Sequence, residues 1–407
     1  MNKIINSIKL SFLLFIFLFL VVSYKYVQYP LVGLILLSLF TIKYKNIKIE
    51  ELKYLLPIII LFFINSISLI YSNNILAGLG TIETQLSLLL LPIIISFDKE
   101  FYNKNKFKII NLFIFAAILG VVILIIIFIN SGNLSRLFGL LKKKDVIVLV
   151  RWLNFSNNQH VTYVSMGLSL SIIFIIKFIN NKKRIYLFFK VIAILINVFI
   201  IFIMGSRAAL GVLFLLAGYY IFKYLRNKKK IVILMSFGVL VLLFLSILQY
   251  SRFKANLEKI KEANSIEEVD FRFEIWASAI NVWENNPLFG TGIGNAKELL
   301  LNEYRAENNS VALKRKLNCH NQFLETATQT GIIGLIVLIL VFAIPFYKSI
   351  KKKQELLFLF LFICFINFFF ESMFQRLVGV VFFSFWYSFL WLVYYKDSKD
   401  KESILAP

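Results

Sequence analysis

The chain has 407 residues, 59% of them hydrophobic, with 45 Lys and Arg against 22 Asp and Glu and a formal charge of +23. Soluble domains run nearer about 45–50% apolar, so the composition excludes an ordinary soluble domain and points to a membrane protein. The positive charge does not point to nucleic acid, because the basic residues fall in short clusters between apolar runs, where positive-inside topology places them.

Two cysteines exclude a disulfide scaffold. Cys364 lies in an apolar run and Cys319 in a polar loop, so they are not expected to pair. The opening stretch, "MNKIINSIKLSFLLFIFLFLVVSYKY", has no small-residue cleavage site and is followed at once by another apolar run. It reads as a retained first helix rather than a signal peptide.

Apolar runs of roughly the length needed to cross a bilayer predict about twelve helices. They fall at about 4–23, 27–42, 54–71, 82–97, 109–130, 160–179, 185–204, 207–224, 231–249, 330–347, 355–371 and 377–395. The expected fold class is therefore all-α and polytopic. Every second loop is basic: "KYKNIKIEELK", "DKEFYNKNKFK", "KFINNKKR", "KYLRNKKK", "KSIKKK" and the tail "KDSKDK". The short loops between carry Lys25, Arg207 or Arg376 alone, and "SNNILAGLGTIET" carries no base. That alternation predicts both termini in the cytoplasm.

Two longer loops are expected on the opposite, outer side. The first, at about 131–159, contains the basic and partly amphipathic "RLFGLLKKKDVIVLVRW". It suits either a face lying on the membrane surface or a site for acidic head groups or glycan. The second, at about 250–329, starts as a charged helical stretch, breaks at Asn286-Pro287, and continues through a glycine turn into another helix. The implied division is 1–249 with nine spans, 250–329 as a helical outer unit, 330–395 with three spans, and 396–407 as a tail.

Charged and titratable residues near helix ends are the candidate functional groups, because burying them in a bundle is costly without a partner. Arg207 in "IMGSRAALGVL" is either a snorkelling anchor or, given the small residues around it, a guanidinium turned into the bundle to hold phosphate. Arg272 in "DFRFEIWASAINVW" is either an exposed charge beside Asp270 and Glu274 or a second such group. "GTGIGN" at 290–295 follows a Pro turn and not a strand, so it reads as a tight turn close to other backbone and not as a nucleotide site.

His320 in "NCHNQFLETATQTGIIG" is one of only two histidines. Its readings are a cap for the next helix or a general base, imidazole being the side chain that titrates near neutrality. No metal-ligand spacing surrounds it. The other histidine, His160, opens the sixth span on the same side in "NNQHVTYVS", with Tyr163 close behind. Asn321 flanks His320. Glu371 and Arg376 in "FFFESMFQRLVG" bracket the last outer turn, where they either pair or line one cavity with His160, Tyr163 and Asn321. Glu83 is a weaker candidate of the same kind.

The order "GSRAAL", "RFEIWASAI…NNPLFGTGIGN", "HNQFLETATQTGIIGLI" resembles the O-antigen ligase family, which includes O-antigen polymerase-like proteins. The likeness is strongest over about 200–345 and agrees with the expected helix count and outer loop. It implies a metal-independent, inverting glycosyltransferase of the lipid-linked, multi-spanning (type C) kind in a bacterial inner membrane, its active site facing the periplasm. The implied donor is undecaprenyl-diphosphate-linked glycan, and the acceptor is lipid A–core for a ligase or another lipid-linked glycan for a polymerase. By motif, Arg207 and Arg272 would hold the donor diphosphate and His320 would act on the acceptor hydroxyl. No cofactor, metal or nucleic acid is implied. A transporter or flippase of lipid-linked oligosaccharide is the competing class, distinguishable by an internal two-fold in its helix packing.

Overall fold

The computed structural model describes residues 2–41, 52–128, 160–179, 184–204, 206–225 and 271–394. Among them every regular element is helical. In chain order these are α1 (Asn2–Val22), α2 (Gln28–Thr41), α3 (Leu56–Ile67), α4 (Ile75–Gln85), α5 (Ser87–Phe97), α6 (Lys99–Phe128), α7 (Val161–Phe178) and α8 (Arg184–Met204). They continue as α9 (Arg207–Leu225), α10 (Phe271–Glu284), α11 (Ala296–Ala306), α12 (Ser310–Arg315), α13 (Gln322–Lys351), α14 (Glu355–Phe370) and α15 (Leu377–Phe389), the last running into a wide helical turn at Leu390–Tyr394.

Among the described residues, seven helical stretches are long and apolar enough to cross a membrane, and Leu56–Ile67, Ala208–Tyr220 and Glu355–Phe370 are shorter apolar helices. Every expected run lies on a helix except the one at 231–249, which falls outside the described residues, as do the loop at 131–159 and the charged stretch up to 270.

Two boundaries differ from the sequence reading. "SNNILAGLGTIET" is largely helical, because the Asn74 side chain accepts the Ala77 N–H at 3.1 Å and so starts α4. The run expected from 330 begins earlier, at Gln322, and Gly331 kinks it (φ 65, ψ −160). Gly331 lies back to back with Gly290 (φ 68), where a Cβ would come within 2.6 Å of the Gln329 and Thr330 backbone. Only glycine accepts both the left-handed backbone and that approach. The "GTGIGN" turn is thus a docking element. Thr291 and Gly292 donate N–H groups to Thr328 and Gln329 carbonyls at 2.9 and 3.0 Å, and Ile332 donates back to Pro287 at 2.8 Å. Ile293 and Gly294 donate to the Ser68 and Ser72 hydroxyls, both at 3.1 Å.

At the centre stands α15, buried from Val378 to Phe389. A helix apolar all round belongs inside, and this one is ringed by other helices rather than facing lipid. Trp386 meets Phe113, Phe174 and Phe17 at ring centroid distances of 4.7, 4.9 and 5.5 Å. Phe383 meets Phe368 at 5.3 Å and Phe342 at 5.7 Å. The helices α7 and α14 pack antiparallel, and this defines two ends of the bundle. Glu355 joins Lys177 at one end, and Glu371 faces His160 at the other. Beyond the histidine end, α10, α11 and α12 close over a small core of their own, including Ile275, Val282, Leu300, Tyr304 and Cys319.

Candidate functional site

The loop that carries His320 is held from several sides. Asn321 caps α13, its side-chain oxygen accepting the N–H groups of Phe323 (2.9 Å) and Leu324 (3.2 Å). The cap therefore falls to Asn321 and not to His320. His320 itself has a left-handed backbone (φ 46), a conformation that costs an L-residue free energy unless its surroundings fix it. Asn318 fixes one side by accepting the His320 N–H at 3.1 Å.

Glu325 fixes the other. It is only 4% exposed, and a carboxylate so buried must be satisfied by donors. It accepts from the Cys319 N–H (3.1 Å), the Ser372 hydroxyl (3.0 Å) and the Gln329 amide (3.1 Å). One turn earlier on α13, Gln322 accepts the Phe374 N–H at 2.7 Å. These bonds fasten the 318–321 loop to the 371–376 turn. Burial, then the charge of Glu325 and its hydrogen bond, push the Cys319 thiol well up, so it stays protonated and is no nucleophile near neutrality.

The helices α7 and α14 stop just short of their flanking titratable groups, leaving His160 and Glu371 in the turns. Glu371 is 2% exposed. Its Oε2 lies 3.4 Å from His320 Nδ1 and 3.4 Å from His160 Nε2. Burial alone would raise the Glu371 carboxyl. The His320 hydrogen bond and the charges of His160, His320 and Arg376 outweigh it and hold the group below its usual range. His160 moves down, chiefly by burial. The pull of Glu371 opposes this, while His320, Arg376 and Arg272 push the same way as burial. The site thus pairs an ionised carboxylate with a neutral imidazole at neutral pH.

The other expected residues fall as follows. Tyr163 sits with its ring 5.6 Å from that of His160, its flank pressed on Gly379, where a Cβ would stand 2.8 Å from the tyrosine ring. The Arg272 guanidinium lies 6.0 Å over the ring of Phe370, the neighbour of Glu371. Arg376 is exposed at the start of α15 and, like Arg272, bears electrostatically on His160. Arg207 opens α9, beside buried Ala208 and Ala209, and its side chain lies outside the described residues. Glu83 is exposed on α4. Sequence reasoning passed over Glu325, Gln322 and Ser372. The available signal was an acid in "QFLETATQTG", just ahead of an apolar run.

A family model described as O-antigen ligase matches residues 192–339, a segment that contains Arg207, Arg272 and His320. The resemblance drawn from the sequence motifs is borne out over that segment. An uncharacterized protein of Haemophilus influenzae (strain Rd) is 25% identical over 211 residues, covering 49% of this chain and 53% of the relative. The chain thus spans about half the length of the relative that it matches. The chain is thus helical in every regular element among the described residues, with several membrane-length helices and an O-antigen ligase-like segment at 192–339.

Proposed function

We propose that the protein is an inverting glycosyltransferase of O-antigen ligase-like kind, moving a glycan from undecaprenyl diphosphate to lipid A–core or a similar acceptor at the periplasmic membrane face. The observation that carries this reading is the convergence, inside and around the family-matched segment, of His320, an ionised Glu371 and the Arg272 guanidinium at one end of the bundle.

The chemistry follows from those groups. The acceptor oxygen attacks the anomeric carbon from the face opposite the diphosphate. The carbon–oxygen bond to diphosphate breaks, and its electron pair leaves with the phosphate. The acceptor proton passes to His320, a contribution typically worth about 10²–10⁴-fold. Two guanidiniums, Arg207 and Arg272, would bind the diphosphate bidentately and offset the charge that grows on it. The glycosyl–diphosphate bond already carries the driving force, so the reading needs no nucleotide site and no divalent cation. A polymerase uses the same site with a different acceptor.

The test is transfer by the purified protein in chelator, supplied with undecaprenyl-diphosphate glycan and either lipid A–core or a second lipid-linked unit. Product on lipid A–core, lost in Arg207→Ala, Arg272→Ala and His320→Ala, supports the ligase. Lengthened lipid-linked chains make it a polymerase. Donor binding without transfer to either acceptor overturns the reading in favour of a flippase.

A further inference from the structure

Glu371 reaches two rings through one oxygen, and the approaching atoms differ. His320 presents Nδ1 and His160 presents Nε2, each 3.4 Å from Oε2. An ionised carboxylate accepts hydrogen bonds and donates none. Both facing nitrogens must therefore carry hydrogen, or the pair becomes lone pair against lone pair in a buried place. We infer that Glu371 is a positioning residue that holds the two histidines in opposite tautomers. His320 carries its hydrogen on Nδ1 and keeps a lone pair on Nε2, while His160 carries its hydrogen on Nε2.

This assignment deepens the transfer reading, on which its functional meaning rests. It makes Nε2 of His320 the atom that takes the acceptor proton. The imidazolium so formed then faces the Glu371 carboxylate, which stabilises it. His160 is the wrong way round for that task. Its lone-pair nitrogen, Nδ1, is buried and has no partner among the described residues. The free imidazole ring in water places its hydrogen mainly on Nε2, so His320 left to itself would lose the base at the position that matters.

The surroundings fit a positioning role. Both contacts are long for N–H···O bonds, as expected where two rings share one oxygen. Glu371 has little freedom to choose another partner. Its neighbour Ser372 donates to Glu325, and the Phe374 N–H is held by Gln322, so the turn is tied to the same loop that carries His320. Of the other cations, Arg376 favours the ionised state of Glu371, and both Arg272 and Arg376 oppose a charge on His160.

The sequence makes the test direct, since the whole chain has only two histidines. Full-length protein labelled with ¹⁵N in the histidine rings, in lipid nanodiscs, gives two ring spectra, and His160→Gln assigns them. The expected wild-type result, read at the basic end of a pH series, is one ring protonated at Nδ1 (His320) and one at Nε2 (His160). In Glu371→Gln, which keeps the size of the side chain, His320 shifts toward the Nε2-protonated form. Both wild-type rings protonated at Nε2, or an unchanged His320 spectrum in Glu371→Gln, overturns the inference. In the transfer assay, Glu371→Gln lowers turnover about tenfold or more at unchanged donor affinity, and Glu371→Asp recovers part of it. Equal loss in both variants together with loss of donor binding points to a structural role and also overturns it. A wild type with no transferase activity would sink the transfer reading, while the ring spectra would still decide the tautomers on their own.

Discussion

The two ends of the bundle both hold carboxylates between helices, yet they give them different partners. At the lysine end, Glu355 gathers Lys177 at 3.1 Å, Lys223 at 2.5 Å and the Tyr219 hydroxyl at 3.2 Å, joining α7, α9 and α14. Lys9 of α1 reaches Asp98 at 2.5 Å, and Lys190 of α8 donates to the last carbonyls of α7 at 2.7 and 3.3 Å. At the histidine end the carboxylates of Glu325 and Glu371 face one backbone N–H, a hydroxyl, an amide and two imidazoles. Ammonium partners serve as tethers between helices. Imidazole partners belong to the side-chain type that ordinarily changes charge near neutrality. The lysine end fastens helices, and the histidine end is where we propose that transfer takes place.

That contrast is open to mutation, with turnover and stability expected to separate. His320→Ala should cost about 10²–10⁴-fold in transfer, with little change in melting temperature. Arg272→Ala should follow at about 10²–10³-fold, the loss growing with each charge removed from the diphosphate, and donor titration would separate affinity from turnover. At the other end, Asp98→Ala strands Lys9, which is 2% exposed. Removing one partner of such a pair costs about 3–5 kcal/mol of stability. Thermal unfolding should record this while turnover per folded molecule holds. Asn321→Ala removes a helix cap and should cost only about 1 kcal/mol, measurable as a small drop in melting temperature. A lysine-end variant that loses turnover without losing stability would break the division.

The sequence made the helices legible because apolar runs and basic loops are long, one-dimensional signals. The same holds for the glycine turn at 290–295, whose Pro and Gly residues specify backbone and not chemistry. The kink at Gly331 was not legible, since it depends on Gly290 arriving from another element. Helix α4 was missed because its polar stretch is started by the Asn74 cap rather than by an apolar stripe.

At the site, His160, His320 and Glu371 were each visible as titratable residues at helix ends. Their sharing of one oxygen was not, because it needs α7, α13 and α14 to be packed together first. Glu325 was the clearest omission. A carboxylate next to an apolar run reads as a solvated end until three donors from separate segments are seen around it.

The most direct test is a single time course of glycan transfer from undecaprenyl diphosphate to lipid A–core, in chelator, by the wild type, His320→Ala and Asp98→Ala, each scaled to folded protein. Product from the wild type and Asp98→Ala at similar rates, and almost none from His320→Ala, is the predicted result. Equal rates in all three, or no product from the wild type with either lipid A–core or a lipid-linked acceptor, would contradict it.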